Sequence, residues 1–360
     1  MVQYITDLSK ISKLSSEEKE ELKEVTEQYS FKANSYYLSL INWSDPDDPI
    51  RRLVIPSQDE LIDWGELDPS NEEKYTVLRG MQHKYNSTVL LLVSNDCGGI
   101  CRYCFRKRIF MREQIESVED YQKAVDYIKA HKEISNVLLT GGDPLIRSTE
   151  WLTEIISKLR EIEHVKIIRI GSKMVAFNPY RIIEDKALLE MINKYSKPGR
   201  RIYIMTHFTH PRELSETAVR AVNLLREVGA VLSNQNPMIK GINSDADTLA
   251  GLFQKLSYCG IPPYYVFQCR PSLGNKGYSI PVEKGLNIFE KACARVSGLA
   301  KRAVYVMSHS TGKIQVLGRD DEFIYFKYRR AYRDEDSNKF IKARRNKDAY
   351  WFDDFEFVQE

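Results

Sequence analysis

The sequence predicts an α/β fold: a partial barrel of six βα units, (βα)6, with a helical N-terminal extension and a C-terminal extension. Three observations support this prediction. Apolar runs rich in Val, Ile and Leu alternate six times with segments of helical period. The runs are unbroken, which is typical of parallel strands covered by helices. Polar residues and cysteines follow the strands, at the end where such sheets place their sites. Eight units would close a barrel, so six indicate an open one.

Each element is predicted from its own segment. Residues 1–80 form the N-terminal extension, with a charged helix at 16–29. Residues 81–300 form the barrel, and residues 301–360 form the C-terminal extension. Ser117 is a plausible N-cap for the first barrel helix. The predicted strands are 88–94, 136–140, 165–170, 201–207, 230–234 and 263–268, and the predicted helices are 117–131, 150–161, 180–195, 213–228, 246–258 and 283–297.

Composition indicates a soluble globular protein, since 42% of the residues are hydrophobic and 29% are charged. A net charge of +3 does not favour nucleic-acid or membrane-surface binding. The sequence has no apolar run of membrane-spanning length, and its polar N-terminus lacks a signal-peptide core. We therefore expect a cytoplasmic protein whose six cysteines are thiols or metal ligands rather than disulfides.

The C-terminal extension contains a basic cluster interleaved with acidic residues. A solvated face is the favoured interpretation of such a charge pattern. The cluster consists of Arg329, Arg330, Arg333, Lys339, Lys342, Arg344, Arg345 and Lys347.

A CxxxCxxC motif, formed by Cys97, Cys101 and Cys104, follows the first predicted barrel strand. Gly98 and Gly99 allow the tight loop that three thiolates around one iron–sulfur cubane need. Three protein ligands leave one iron open, whereas electron-transfer clusters are held by four cysteines. A zinc site or unrelated core thiols are the alternatives, although zinc would need a fourth ligand. The other cysteines stand singly and are interpreted as small buried residues: Cys259, Cys269 and Cys293.

Several motifs in order resemble the radical SAM (S-adenosylmethionine) superfamily, and the lysine 2,3-aminomutase family in particular. They are CGGICRYCFRKR at 97–108, TGGDPL at 140–145, HFTHP at 207–211, NQN at 234–236 with GIN at 241–243, and YYVFQC at 264–269. The resemblance covers about residues 45–318. It implies a radical SAM barrel and a [4Fe–4S] cluster that binds SAM at its open iron. It further implies that the reduced cluster cleaves SAM to methionine and a 5′-deoxyadenosyl radical, which would abstract a hydrogen atom from the substrate.

The resemblance also places residues around SAM. Asp143 is an anion suited to the SAM ammonium, beside glycines whose backbone faces the same group. For each of these residues a structural role in a turn or in the core is the alternative. The residues are Gly141, Gly142, Asp143, Ser172, His207 and Gln235.

Pyridoxal 5′-phosphate (PLP) is the second cofactor that the resemblance implies. Lys313, in the run SHSTGKI, aligns with the catalytic lysine that holds PLP. Lys84 aligns with a cation for the PLP phosphate and Tyr85 with a ring-stacking tyrosine. A second phosphate arginine of the family falls at Thr88, which is uncharged. A PLP-free radical SAM enzyme of another reaction type is therefore the alternative, ahead of a non-catalytic iron–sulfur protein.

The substrate is expected to be an amino acid other than lysine. Arg106 occupies the position that binds the substrate α-carboxylate in the family, and pairing with a structural acidic residue is the alternative. Arg270 falls where the family has an aspartate for the distal ammonium of lysine, so a lysine would meet a like charge there. An acidic side chain such as that of glutamate fits better, and the alternatives are that Arg270 holds a phosphate or an acidic residue of the protein. The other expected partner is an electron donor such as flavodoxin or ferredoxin, and assembly into a homo-oligomer stays open.

Overall fold

The computed structural model describes residues 2–111 and 116–358. Within these residues the chain forms one large sheet, a small two-stranded sheet and helices that cover one face of the large sheet. The strands are β1 (Tyr4–Ile5), β2 (Ala33–Asn34), β3 (Thr76–Leu78), β4 (Met81–Tyr85), β5 (Thr88–Ser94), β6 (Asn136–Gly141), β7 (Ile167–Ser172), β8 (Ile202–Thr206), β9 (Val231–Met238), β10 (Pro263–Gln268), β11 (Val304–His309), β12 (Gly312–Arg319), β13 (Phe323–Ala331) and β14 (Phe340–Arg344).

The helices connect the strands and precede them in the N-terminal extension. Side chains cap most of the long ones at their first turn, as Ser148 does for α6 by accepting a hydrogen bond from the backbone N–H of Trp151. The helices are α1 (Ser16–Glu21), α2 (Lys23–Gln28), α3 (Ser35–Ser39), α4 (Pro49–Val54), α5 (Tyr121–Ala130), α6 (Thr149–Glu161), α7 (Met174–Phe177), α8 (Tyr180–Ile183), α9 (Lys186–Tyr195), α10 (Glu216–Glu227), α11 (Ala246–Tyr258) and α12 (Val282–Ala294).

The large sheet has a parallel centre and antiparallel ends. In the described residues its order runs from β14 at one edge through consecutive strands to β3 at the other. Strands β5 to β11 are parallel, whereas β3 and β4 at one end and β12 to β14 at the other are antiparallel. The predicted open α/β barrel is confirmed, and its parallel part extends one strand, β11, beyond the six predicted units.

The two ends of the open sheet are bridged by side chains rather than by strand pairing. Lys84 on β4 donates from Nζ to the carbonyl of His309 at the end of β11, over 2.7 Å. The hydroxyl of Tyr75 donates to the carbonyl of Ser310 over 2.6 Å. Residues from β4 and from the β11–β12 turn therefore face a common interior.

The two faces of the sheet are buried to different degrees. On β7, Ile168 and Ile170 are fully buried beneath the helices, where each contributes roughly 1.5–3 kcal/mol to stability. Arg169, between them, points to the concave face and is only partly buried. The same alternation on β6 buries Val137 and Leu139 and leaves Thr140 partly accessible. The concave face therefore lines a cavity inside the barrel.

The N-terminal extension differs from the helical expectation. It combines short helices with β1, β2 and β3, and the predicted helix 16–29 is divided at Leu22 into α1 and α2. The predicted helix 180–195 is likewise divided, because Asp185 caps the start of α9. Helix α5 is capped by Asp120 rather than by Ser117. In the described part of the chain, no helix combines the length and the apolar character that crossing a bilayer demands.

Candidate active site

The three cysteines of the CxxxCxxC motif lie on the loop that follows β5, and the N-terminal extension holds this loop. Asn34 donates from Nδ2 to the carbonyl of Gly98 over 2.7 Å and to that of Phe177 over 2.9 Å. The N–H of Ile100 donates to the carbonyl of Lys32. A Cβ on Gly98 would lie 2.2 Å from the sulfur of Met174, so the loop packs closely against the Met174 side chain.

The cysteine thiols share one poorly solvated region. Burial raises the pKa of Cys101 to about 12. Burial also raises the pKa of Cys97, and negative charge on Asp143, Cys104 and Cys101 raises it further, which places these groups close together. Thiolates in such a place need a positive charge, which bound iron supplies. No three His, Cys, Asp or Glu side chains of the described residues are close enough to hold a single ion, whereas a cubane spreads its ligands over several irons.

The Gly-Gly-Asp segment after β6 is fastened to the cysteine loop. The N–H of Gly142 donates to the carbonyl of Ser94, and that of Asp143 donates to the carbonyl of Asp96, each over 2.7 Å. A Cβ on Gly142 would lie 2.2 Å from the carbonyl oxygen of Asp96. Gly141 has a φ of +121°, which residues with a side chain rarely adopt. Both glycines are therefore needed for two loops of the site to touch.

The carboxylate of Asp143 accepts hydrogen bonds from within the protein. Its Oδ2 accepts hydrogen bonds from the Ser172 hydroxyl and from the backbone N–H groups of Lys173 and Met174, and its Oδ1 accepts one from Leu145. Burial raises its pKa to about 6. These bonds join the loops after β6 and β7. The geometry therefore favours a positioning role for Asp143 and Ser172 over direct pairing with the SAM ammonium.

His207 and Gln235 lie at neighbouring strand ends. Nε2 of His207 is 3.3 Å from the hydroxyl of Tyr103, a residue of the cysteine loop. Burial, with the nearby Lys173 cation, lowers the pKa of His207 well below its usual value, so the imidazole is neutral. Gln235 is partly buried on β9, and within the described residues its side chain forms no hydrogen bond. Its amide is therefore available to a ligand.

An ion pair that spacing could not predict supports this part of the site. Lys173 and Glu213 are both buried, with Nζ and Oε1 2.6 Å apart. The hydroxyl of Tyr37, from α3, donates to the same Oε1 over 2.6 Å. Lys173 also donates to the carbonyl of His207 over 2.7 Å. The three charged or polar groups come from distant segments, so their partnership depends on the fold.

Lys313 lies on β12 with its ammonium group inside the barrel. Its Nζ is 5.1 Å from the ring centre of Tyr265 and 5.0 Å from that of Phe267. Burial, together with the nearby cations of Arg270 and Arg169, lowers the pKa of Lys313 to about 7. A sizeable fraction of this amine is therefore uncharged at neutral pH, which is the form that attacks an aldehyde.

Lys84 and Tyr85 face the same cavity from β4. Burial, together with the nearby Arg270 cation, lowers the pKa of Lys84 to about 7. Lys84 has a carbonyl partner, the oxygen of His309, but no carboxylate partner in the described residues. The guanidinium of Arg330 lies 4.5 Å from the ring centre of Tyr85. The expected cation and aromatic ring are thus close to each other and to Lys313.

Arg106 forms a buried ion pair with Glu72. Its Nη2 is 2.6 Å from Oε1 of Glu72, and its Nε is 3.0 Å from Oε2. Glu72 also pairs with Arg108. The remaining Nη1 has only a long contact of 3.5 Å with the hydroxyl of Thr140. One edge of the Arg106 guanidinium is therefore structural, and the other remains free for a ligand.

Arg270 is partly buried and has no acidic partner among the described residues. Its guanidinium lies 3.7 Å from the ring centre of Phe105, and its Nη1 has no hydrogen bond to any described residue. Burial lowers its pKa to about 10, so the group remains charged at neutral pH. Glu72 is near, but it is paired with Arg106 and Arg108.

The cavity therefore contains a cluster of cationic side chains that have no carboxylate partners among the described residues. Each member influences the pKa of Lys313 or is Lys313 itself, and none forms an ion pair with a described carboxylate. Unpaired buried charge is costly unless a ligand compensates it. An anionic ligand is what such a cavity can bind. The members are Lys84, Arg169, Arg270, Lys313 and Arg330.

Known proteins match the chain along its length. The Radical SAM superfamily matches residues 91–250. A protein of Aquifex aeolicus (strain VF5), provisionally named an L-lysine 2,3-aminomutase, is 52% identical over 100% of this chain and 96% of its own length. The glutamate 2,3-aminomutase of Clostridioides difficile (strain 630) is 38% identical over 82% of this chain and 70% of its own. The L-lysine 2,3-aminomutase of Clostridium subterminale is 37% identical over 82% and 71%. The chain therefore belongs to the lysine 2,3-aminomutase family of radical SAM enzymes, which depend on a [4Fe–4S] cluster and SAM.

Proposed function

We propose that this enzyme moves the amino group of an α-amino acid with an anionic side chain, such as glutamate, from C2 to C3. The observation that carries this proposal is the guanidinium of Arg270, whose buried Nη1 has no hydrogen-bond partner and which has no acidic partner among the described residues. The names of the relatives include both lysine and glutamate enzymes, so similarity alone does not choose the substrate.

Cys97, Cys101 and Cys104 would hold the cluster, leaving one iron for SAM. When bound, these two groups supply the abstraction of a hydrogen atom from the substrate. The backbone of Gly141 and Gly142 would face the SAM amino group, while Asp143 and Ser172 fix the loops around it. His207, neutral and beside Tyr103, and Gln235, whose amide has no partner among the described residues, would line the same pocket.

Lys313 would hold PLP, the catalytic group that when bound joins the substrate amine through its aldehyde carbon. The lowered pKa of Lys313 provides the uncharged amine that this attachment needs. Tyr85 would pack against the pyridine ring, and Lys84 adds positive charge near the phosphate. The cation-rich cavity fits a dianionic cofactor better than it fits any cationic ligand.

Arg106 and Arg270 would bind the two carboxylates of the substrate. The free edge of Arg106 faces the site beside Thr140 and suits the α-carboxylate. Arg270 then pairs with the distal carboxylate. A lysine ammonium at about 4 Å from Arg270 would instead cost about 4 kcal/mol in a partly screened site. We infer that a one-electron donor such as flavodoxin or ferredoxin reduces the cluster.

The test is an anaerobic assay of reconstituted enzyme with SAM, PLP and dithionite. Formation of 5′-deoxyadenosine is measured with glutamate and with lysine at equal concentration. We expect glutamate to stimulate its formation more than lysine does, and only when PLP is present. A preference for lysine would contradict the proposed substrate class, and stimulation that is independent of PLP would favour a PLP-free radical reaction.

A further inference from the structure

Arg330 faces the cavity, although the charge pattern of the C-terminal extension predicts a solvated side chain. Its Nη2 donates to the hydroxyl of Ser87 over 2.7 Å, and its Nη1 donates to that of Thr88 over 3.2 Å. Its guanidinium also lies over the ring of Tyr85. The solvated-face interpretation is therefore wrong for this residue. Other members of the basic cluster, such as Arg333 and Lys339, are exposed as expected.

A β-bulge turns Arg330 inwards. Lys313 on β12 pairs with Arg330 on β13, but the next residue, Ile314, pairs with Tyr328 and leaves Arg329 as an extra residue. A bulge of this kind changes which face of a strand a side chain occupies, and bulges are frequent beside active sites. Residues directly opposite each other on neighbouring strands share a face, with Cβ atoms about 5 Å apart. The bulge thus places Arg330 beside Lys313.

Arg330 has no carboxylate partner among the described residues, unlike two other arginines of the same sheet. Arg319 pairs with Glu290 at 3.5 Å, and Arg344 pairs with Glu356 at 3.7 Å. The partners of Arg330 are two neutral hydroxyls, which can rotate and donate to a ligand. The guanidinium and the hydroxyls of Ser87 and Thr88 together form a set of donors suited to a tetrahedral anion.

We propose that Arg330, with Ser87 and Thr88, binds the phosphate group of PLP. This inference rests on the proposed role of Lys313 and adds the anchor for the other end of the cofactor. Lys313 pairs with Arg330 across β12 and β13, and the Arg330 guanidinium lies over the Tyr85 ring, so one bound cofactor would reach all three residues with its aldehyde, ring and phosphate. The cation that the resemblance expects at position 88 is thus supplied by Arg330, from a strand near the opposite end of the sheet.

The experiment compares PLP with pyridoxal, which lacks the phosphate, by absorbance titration of the reconstituted enzyme. Arg330→Gln should raise the Kd for PLP about 10- to 100-fold, as expected for loss of a charge-assisted contact worth about 1.5–3 kcal/mol. The Kd for pyridoxal should change less than about twofold, because pyridoxal has no phosphate group that could contact Arg330. Arg333→Gln, at an exposed position after the same strand, is the matched control and should bind both compounds as the wild type does.

A second variant moves the charge across the cavity. Thr88→Arg combined with Arg330→Gln returns a guanidinium to the same place from β5 and should recover much of the affinity for PLP. Equal weakening of PLP and pyridoxal by Arg330→Gln, or unchanged PLP affinity, would overturn this inference while leaving the proposed function standing. A wild-type enzyme that binds no PLP would overturn both.

Discussion

Arg270 shows how a single residue can indicate a substrate. A guanidinium keeps its charge at neutral pH, and burying it without a partner costs several kcal/mol. A structural ion pair does not account for Arg270, because the acidic residues nearby, Glu72 and Asp68, pair with Arg106 and Arg108 instead. An anionic group of the substrate is the partner that would make the burial of Arg270 favourable.

Replacing Arg270 tests this role. Arg270→Gln should raise the KM for glutamate about 10- to 100-fold, because it removes one charged contact with the distal carboxylate. Arg270→Asp should lower glutamate turnover further and admit lysine, since it restores an anion for a distal ammonium. Steady-state kinetics with glutamate and with lysine measure both effects. Glutamate kinetics that are unchanged in Arg270→Gln would show that Arg270 does not contact the substrate.

Lys313 gives a prediction about pH. The neutral amine attacks PLP, and its fraction rises as the pH rises through the pKa, which is about 7 for Lys313. Borohydride reduction in the presence of PLP should therefore label Lys313 increasingly between about pH 6 and 8, well below the usual lysine pKa of ~10.4. Peptide mapping measures the label. The Lys313→Ala variant should lose the label and keep reductive SAM cleavage. A label on Lys84 would show that Lys84, rather than Lys313, holds PLP.

At the scale of elements, the cysteine loop depends on its three thiols. Replacing Cys97, Cys101 or Cys104 singly by alanine should remove most of the bound iron and all SAM cleavage, because a cubane held by two cysteines is not retained. Iron analysis and 5′-deoxyadenosine formation are the measurements. Alanine at Cys259, Cys269 or Cys293 should leave the iron content unchanged. Full iron content in any variant of the first group would disprove that ligand.

The N-terminal extension holds the loop through buried charge. Arg102, in the loop, is 1% exposed and pairs at 2.8 Å with Glu60, which is 0% exposed. Lys107 pairs with the same carboxylate at 3.2 Å. The extension therefore fixes the backbone on which the cluster ligands lie.

Glu60→Gln should destabilise the protein by about 3–5 kcal/mol, because it leaves two buried cations without a charge partner. Urea unfolding followed by tryptophan fluorescence measures the change. Glu20→Gln is the control, since Glu20 pairs with Lys23 on the surface and should contribute less than about 1 kcal/mol. The same urea midpoint for both variants would contradict a structural role for the buried pair.

At the scale of the whole molecule, the parallel part of the sheet was predictable. Strands β5 and β10 and helix α11 have the predicted bounds, because unbroken apolar runs and strong helical periodicity are local signals. The CxxxCxxC motif is also a local signal, so the position of the cysteine loop after β5 was predictable. The antiparallel strands β12 to β14 were not predicted, since their alternating charged residues read as a solvated surface.

The contacts that shape the cavity could not be predicted from spacing. Glu72 and Arg106 are 34 positions apart, and Arg330 and Thr88 are 242 apart. The Arg330–Thr88 contact exists because the open sheet curves until β13 approaches β5, and a register shift between β12 and β13 turns Arg330 inwards. The roles of the individual cofactor and substrate residues remain predictions.

The most direct test of the central claim follows the nitrogen atom itself. Reconstituted enzyme with SAM, PLP and reductant is given glutamate labelled with 15N at C2, and the product is examined by NMR. The account predicts 3-aminopentanedioate with 15N bonded to C3, and a slower reaction with lysine in parallel. Efficient migration in lysine with none in glutamate, or SAM cleavage without movement of the nitrogen, would contradict it.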